Sequence, residues 1–263
     1  MRRQNRDVTE APRGRNFVTG FARGLAVIEA FGPENKAMTL ARVAERTGLH
    51  RAVARRLLLT LVEMGFAHVH ERKFELTTRV LRLASSFLSS AGLGASLQPF
   101  LDTAARAIGE TVSLSVLDGA DAVFIARSNI PGRRLSYVVT AGMRLPAFTA
   151  ASGRVLLAHK PRAEVERMLA RTRLVRHTRH TVMQKREIMA IIAQARVKGH
   201  SINDEELEDG LVGVSVPVSN RAGLIVAALN ASTTSARVGR EKLEGEIVVK
   251  LKAMAAELAS MLP

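Results

Sequence analysis

The segment from Thr39 to Gly65 leaves the chain few choices. Thr39 carries a hydroxyl suited to capping a helix start, and Leu40, Val43, Ala44 and Thr47 follow at i, i+3, i+4 and i+7 before Gly48 stops the pattern. A longer helical pattern runs from about His50 to Met64, with Ala54, Leu57, Leu58 and Leu61 on its apolar side and Gly65 at its C-terminal end. Two helices joined by a tight Gly48-Leu49 turn bury both apolar stripes by packing across that turn, which is helix-turn-helix geometry. Upstream, Leu25, Ile28 and Phe31 predict a further helix over 17–31, ended by Gly32-Pro33. Downstream, Phe66–His70 and Phe74–Leu76 read as two short strands around Glu71-Arg72-Lys73, although that turn has neither Asn-Gly nor Asp-Gly. Residues 17–76 therefore form a winged helix-turn-helix domain. The arginine-rich stretch 1–16 before it has the composition of a disordered arm.

From Thr77 a linker helix is expected to reach Ala91, with Val80, Leu83, Ala84, Phe87 and Leu88 on one stripe. Gly92-Leu93-Gly94 breaks it, so 77–94 separates two domains. Residues 95–263 mix both kinds of element. Val112, Leu114 and Val116 alternate within a strand at 111–117, and Asp118-Gly119 turns the chain into a second strand at 122–126. Further strands fit 135–140, 213–218 and 224–230, and helices fit 96–108, 153–158, 163–170, 184–197 and 240–261. Hairpins mixed with helices give an α+β chain whose C-terminal domain is an antiparallel sheet covered by helices, not a doubly wound parallel one.

Composition removes several classes. There is no cysteine, so disulfides, thiolate zinc sites and cysteine nucleophiles are excluded, and a cytoplasmic location is expected. Apolar runs such as Leu224–Leu229 are far shorter than the roughly twenty residues of a membrane span, and no apolar segment follows the basic N-terminus as in a secretory signal. The net charge of +15 suits a polyanionic partner. It does not locate the contact. Residues 1–80 hold fifteen basic and eight acidic side chains, but 154–198 hold twelve and three.

The location comes from the helix pair. The first turns of a recognition helix lie in the major groove, where side chains must donate to phosphates and base edges. His50, Arg51, Arg55 and Arg56 supply donors there, with Arg51 and Arg55 sharing a face at i, i+4. Thr39 at the start of the positioning helix, and Arg72 and Lys73 in the hairpin turn, complete the residues expected to face double-stranded DNA.

Enzyme signatures are incomplete. Gly213-Val-Ser215-Val-Pro217 lacks the second glycine of a nucleophile elbow, and Gly92-Leu-Gly94 lacks the third glycine of a dinucleotide fingerprint. His177 and His180 are spaced to seed a metal site but have no further ligand placed by sequence. Neither a cofactor nor a metal is expected. A hydrolase or transferase acting on a small aromatic acid, or a DNA binder without a ligand, are the competing readings.

The run Phe17–Phe31, then Leu40–Gly48, then Arg55-Arg56-Leu57-Leu58-Leu59-Thr60-Leu61 resembles the IclR family of bacterial regulators. It is most similar to the branch responsive to protocatechuate and 4-hydroxybenzoate. Phe74–Thr77, Arg144-Leu145-Pro146, Ser152–Ala158 and Asn203–Gly210 extend the likeness over nearly the whole chain after residue 16. Members often have Ser or Thr where this chain has His50 and Val53, so the operator sequence does not transfer. The resemblance implies a GAF-like effector-binding domain, a homodimer or tetramer, and a small organic acid as ligand. It places Tyr137, Ala151 and Ser152 on one wall of a pocket, Asn203, Leu211 and Gly213 on the acidic loop and the strand after it, and Asn230 and Ser232 on the last strand. Two features of the residues agree with this. Ser152-Gly153 opens a helix whose free N–H groups suit a carboxylate, and Asn230 and Ser232, two apart, share one strand face. The loop Asp204–Asp209 reads as a solvated lid or surface.

Overall fold

The computed structural model describes residues 15–32, 34–83, 97–128 and 140–262, and the chain divides into two compact units, 1–88 and 89–263. Residues 1–14 of the N-terminal arm, most of the linker helix and Tyr137 lie outside the described residues.

In the first unit α1 (Thr19–Glu29), α2 (Leu40–Thr47) and α3 (Arg51–Glu63) surround one apolar cluster. Val27, Ala30, Met38, Val43, Leu58, Leu61, Ala67 and Phe74 are its buried members, so every apolar stripe converges on one point. Three strands close the base: β1 (Ala37–Thr39), β2 (Ala67–His70) and β3 (Lys73–Leu76), all antiparallel in the order β1-β3-β2. The sequence pattern does not reveal β1, which is three residues long and pairs Met38 with Phe74. The hairpin forms with Glu71 and Arg72 at φ of 47° and 63° between paired His70 and Lys73. After Thr77 the backbone winds first as a 3₁₀ turn, Thr78–Val80, where an α-helix was expected. Its cap is Thr77 Oγ1, which accepts the Arg79 N–H and donates to the Gly65 carbonyl at 2.6 Å.

The second unit is built on a six-stranded antiparallel sheet. After α4 (Leu97–Ile108) come β4 (Thr111–Asp118), β5 (Asp121–Arg127), β6 (Arg144–Pro146), α5 (Ala151–Ala158), α6 (Arg162–Arg171), α7 (Lys185–Lys198), β7 (Ser201–Asp204), β8 (Leu211–Ser219) and β9 (Ile225–Thr234). A helical turn at Arg240–Lys242 and a π-turn at Leu243–Ile247 lead into α8 (Val248–Ala259). Strand order is β6-β5-β4-β9-β8-β7. Thr140, expected to end a strand begun at 135, has no strand structure, and the rest of that segment lies outside the described residues.

The two faces of the sheet differ in chemistry because side chains alternate. Val212, Val214, Val216 and Val218 with Ala227, Leu229 and Ala231 make one face fully buried; α8 packs on β8 and β9, and α4 packs on β4 and β5. The opposite face carries a polar row: Ser113 pairs with Asn230, Asn230 with Ser215, and Ser215 with Ser201. Over that face lies α5, of which all eight residues are buried. Val155 and Leu156 meet Ala228, and the far side, with Leu157 and Ala158, joins Val165, Leu169, Ile188 and Ile192 of α6 and α7.

Candidate functional site

All seven residues expected to face DNA are exposed: Thr39, His50, Arg51, Arg55, Arg56, Arg72 and Lys73. They come from three elements that the fold brings together. Thr39 Oγ1 accepts the Arg42 N–H at 3.4 Å and caps α2, while register places Thr39 beside Lys73 of the wing. Gly48 ends α2 at φ 66°, in the left-handed region that glycine adopts without penalty, and so sets the approach to α3. His50 then caps α3. Its Nδ1 accepts the Ala52 N–H at 3.3 Å, which requires a ring unprotonated at Nδ1 and leaves only Nε2 to donate outward. The expected role of His50 as a plain donor is corrected to cap and donor together.

Among the described residues no ion pair engages Arg51, Arg55 or Arg56, and α3 has no acidic residue before Glu63. Three other arginines of the unit are committed internally. Arg42 pairs with Glu45 at 2.9 Å, Arg46 donates to the Ala30 carbonyl at 3.1 Å, and Arg79 lies over the Phe66 ring at 5.3 Å. The outward row on α3 is thus a set of uncommitted guanidinium groups on a rigid helix, which suits a polyanion.

In the second unit, seven of the eight pocket residues read from sequence line one cavity of about 40 Å³: Ala151, Ser152, Asn203, Leu211, Gly213, Asn230 and Ser232. Sheet register explains the convergence, since Asn203 pairs with Gly213 and Gly213 with Ser232, while Asn230 stands two residues along β9 on the same face. Gly213 leaves space that a Cβ would fill, 3.6 Å from Asn230 Oδ1. Asn230 Nδ2 donates to Ser232 Oγ at 2.9 Å, and Asn203 Nδ2 to the Thr149 carbonyl at 2.7 Å, which orients both amides. Asn203 is on β7, not on the loop as expected.

Ala150 precedes α5 and offers no side-chain cap to the N–H groups at that helix start, and Ala150, Ala151 and Ser152 line the cavity. The Ser152 hydroxyl lies beside them, on a residue only 1% exposed. The remaining walls were not foreseen: Phe124, Leu145, Ala150 and Leu207 form an apolar end. The cavity is therefore amphipathic, and no charged side chain lines it among the described residues. Ser215 is no nucleophile. Its hydroxyl is buried within the sheet and donates to the Leu229 carbonyl at 3.1 Å.

The acidic loop is not solvated throughout. Glu206 is buried and forms a two-pronged ion pair with Arg154 of α5, Nη1 to Oε1 and Nη2 to Oε2, the latter at 2.8 Å. Arg154 also donates to the Phe148 carbonyl at 2.9 Å, and Glu206 Oε2 accepts the Val182 N–H at 3.0 Å. Sequence spacing hides this pair, because its partners are 52 residues apart. Beside it Glu205 accepts the Gly210 N–H at 2.9 Å, which, with the Ser235 hydroxyl, holds its carboxyl below the usual range. His180 lies near Glu205 and Asp209, not with His177 as a ligand pair. Arg179 Nε stands 3.0 Å from His180 Nε2, so a cation would meet a guanidinium there.

Comparison with known proteins matches both units. Residues 21–70 fit the IclR helix-turn-helix domain and residues 85–260 the C-terminal domain of bacterial IclR transcriptional regulators. The Pca regulon regulatory protein of Pseudomonas putida is 37% identical over 247 residues, 94% of this chain and 85% of that protein. The p-hydroxybenzoate hydroxylase transcriptional activator of Acinetobacter baylyi is 36% identical over 257 residues, 96% and 95% of the two chains. A crystal structure of an IclR homolog from Microbacterium hydrocarbonoxydans complexed with 4-hydroxybenzoate superposes with a TM-score of 0.76 at 25% identity, over 93% of this chain and 99% of that one. Among the described residues no helix is long and apolar enough to cross a membrane.

Proposed function

The chain belongs to the IclR family of bacterial transcriptional regulators, and from that premise we propose that its effector is a small aromatic acid of the hydroxybenzoate type. As a family member it is a DNA-binding regulator and not an enzyme. The observation that carries the effector reading is the amphipathic cavity at the start of α5. Uncapped N–H groups and Ser152 suit a carboxylate, because the helix end is electropositive and its donors are already oriented. Phe124 and Leu145 suit a ring, and Asn203, Asn230 and Ser232 offer donors and acceptors for a ring hydroxyl. Hydroxybenzoate is what two of the relatives name as their ligand or target pathway.

On this reading residues 17–76 read operator DNA, 77–94 join the units, and 95–263 hold the effector, in a cytoplasmic homodimer or tetramer. Arg51, Arg55 and Arg56 contact base edges or phosphates, with Thr39, His50, Arg72 and Lys73 around them.

A thermal-shift panel of protocatechuate, 4-hydroxybenzoate, β-ketoadipate, pyruvate and glyoxylate tests the effector. An acid at a hundredfold excess over its Kd stabilises the folded state by about 2.7 kcal/mol, a rise on the order of 5–10 °C for a unit of this size. A panel in which only the aliphatic acids shift the midpoint refutes the aromatic reading. Arg55→Ala is expected to weaken operator binding by about 1–3 kcal/mol in a gel-shift titration while leaving the acid-induced shift intact.

A further inference from the structure

We propose that Leu207 is the movable wall of the effector pocket, displaced when a ring enters and setting which ring substituents fit; this rests on the aromatic-acid reading above. The cavity measures about 40 Å³, whereas an apolar cavity that takes up benzene measures about 150 Å³. An aromatic acid therefore enters only if a wall moves. Nearly all the described lining residues are fixed by regular structure. Phe124 and Leu145 are on β5 and β6, Ala151 and Ser152 on α5, and the others on β7, β8 and β9. Two stand outside such elements. Ala150 has only a methyl group and leads directly into the buried helix α5, so it has nothing to withdraw. Among the described lining residues that leaves Leu207, half-buried at the tip of the loop between β7 and β8 and packed against Phe124, Leu145 and Ala150.

The loop is built so that only its tip yields. Its base is closed by the Glu205 N–H on the Leu211 carbonyl at 3.0 Å and the Glu205 carboxylate on the Gly210 N–H. Glu206 is held to Arg154 and Val182, and its carbonyl accepts Thr181 Oγ1 at 2.7 Å. The Glu208 carbonyl accepts the Leu211 N–H at 3.1 Å, so movement is confined to Leu207 itself, which swings out of the apolar end while Asn203 and Leu211 on either side keep the polar floor in place. A leucine withdrawn in this way opens space next to the positions of the ring farthest from the helix start, so the size of residue 207 selects among ring substituents.

Binding to the full-length protein and to Leu207→Ala and Leu207→Trp tests the proposal, with toluene, 4-hydroxybenzoate and 3-methoxy-4-hydroxybenzoate as probes. Leu207→Ala is expected to bind toluene at least about tenfold tighter than the wild type, and to shift the preference toward the methoxy acid by a similar factor, as removal of a few methylene-sized groups from a pocket does. Leu207→Trp is expected to weaken 4-hydroxybenzoate binding at least about tenfold, the clash being of comparable size, with operator binding unchanged. Equal toluene binding and an unchanged preference in Leu207→Ala overturn the proposal. The toluene arm separates the two readings. Tighter toluene binding without binding of either acid sinks the aromatic-acid effector and leaves the movable wall standing, whereas acid binding indifferent to residue 207 does the reverse.

Discussion

Two glycines of the effector unit are held by different forces. A Cβ on Gly153 would lie inside the van der Waals contact distance of the Ala147 Cα and carbonyl, which are backbone atoms that α5 already presses against. A Cβ on Gly213 would meet only the Asn230 side chain at 3.6 Å, an ordinary contact, but in the floor of the pocket. Gly153→Ala is therefore expected to destabilise the unit by about 3 kcal/mol, the upper range for overpacking, measured as a fall in the urea midpoint. Gly213→Ala is expected to leave that midpoint within about 0.5 kcal/mol and to lower acid affinity instead. Equal effects on stability would show that α5 can shift away from Ala147. Residue by residue, the polar pocket floor was legible because strand alternation and the family likeness both pointed to Asn230 and Ser232, and the likeness alone to Gly213. The apolar end was not, since Phe124 read as ordinary strand core and Leu145 sits on a strand too short to show a period. Leu207, the one apolar residue in Asp204–Asp209, was a visible signal outweighed by the charge around it.

The wing is an element whose turn works against its own residues. A two-residue hairpin loop needs left-handed backbone at both positions, and here Glu71 and Arg72 supply it at φ 47° and 63° without glycine or asparagine. Each such residue costs roughly 1 kcal/mol or more relative to glycine. Burial offsets the cost. Phe74 and Ala67 on the two strands join the core, and β1 pairs along the far edge. That is why the hairpin forms where turn chemistry alone argues against it. Replacing Glu71 by Asn is expected to raise the stability of the unit by about 0.5–1 kcal/mol. It also removes an anion from the tip that carries Arg72 and Lys73, so operator binding tightens and the midpoint of its salt dependence rises. A variant that is more stable yet binds DNA no better would separate the wing tip from the interface. Elements of eight or more residues were readable from periodicity. The short ones, β1, β6 and β7, were not, because three or four residues give no period to count and their pairing partners are remote in sequence.

At the scale of the whole molecule, one recognition helix offers a duplex few contacts, and the homodimer proposed above would double them. Val18 and Phe21 before and within α1 are 68% and 70% exposed, and Leu25 one turn on is 41% exposed. They stand at i, i+3 and i+7, a continuous apolar stripe on the side of α1 away from the cluster around Val27. Large apolar side chains aligned in this way are suited to an interaction surface, and we propose that a two-fold, self-complementary pair of α1 stripes forms the dimer contact. Such a pair carries two copies of α3, suited to half-sites about 34–36 Å apart or a multiple of it. Phe21→Glu places a charge in the middle of the stripe while its exposed position leaves the monomer fold unaffected. The variant is expected to sediment as a smaller species than the wild type. It is also expected to lose at least about 3 kcal/mol of operator affinity, since binding two half-sites as one unit raises avidity a hundredfold or more. The acid-induced thermal shift should persist, because the pocket lies wholly within the second unit. Unchanged sedimentation together with unchanged operator binding would assign assembly to another surface and leave the α1 stripe without that role.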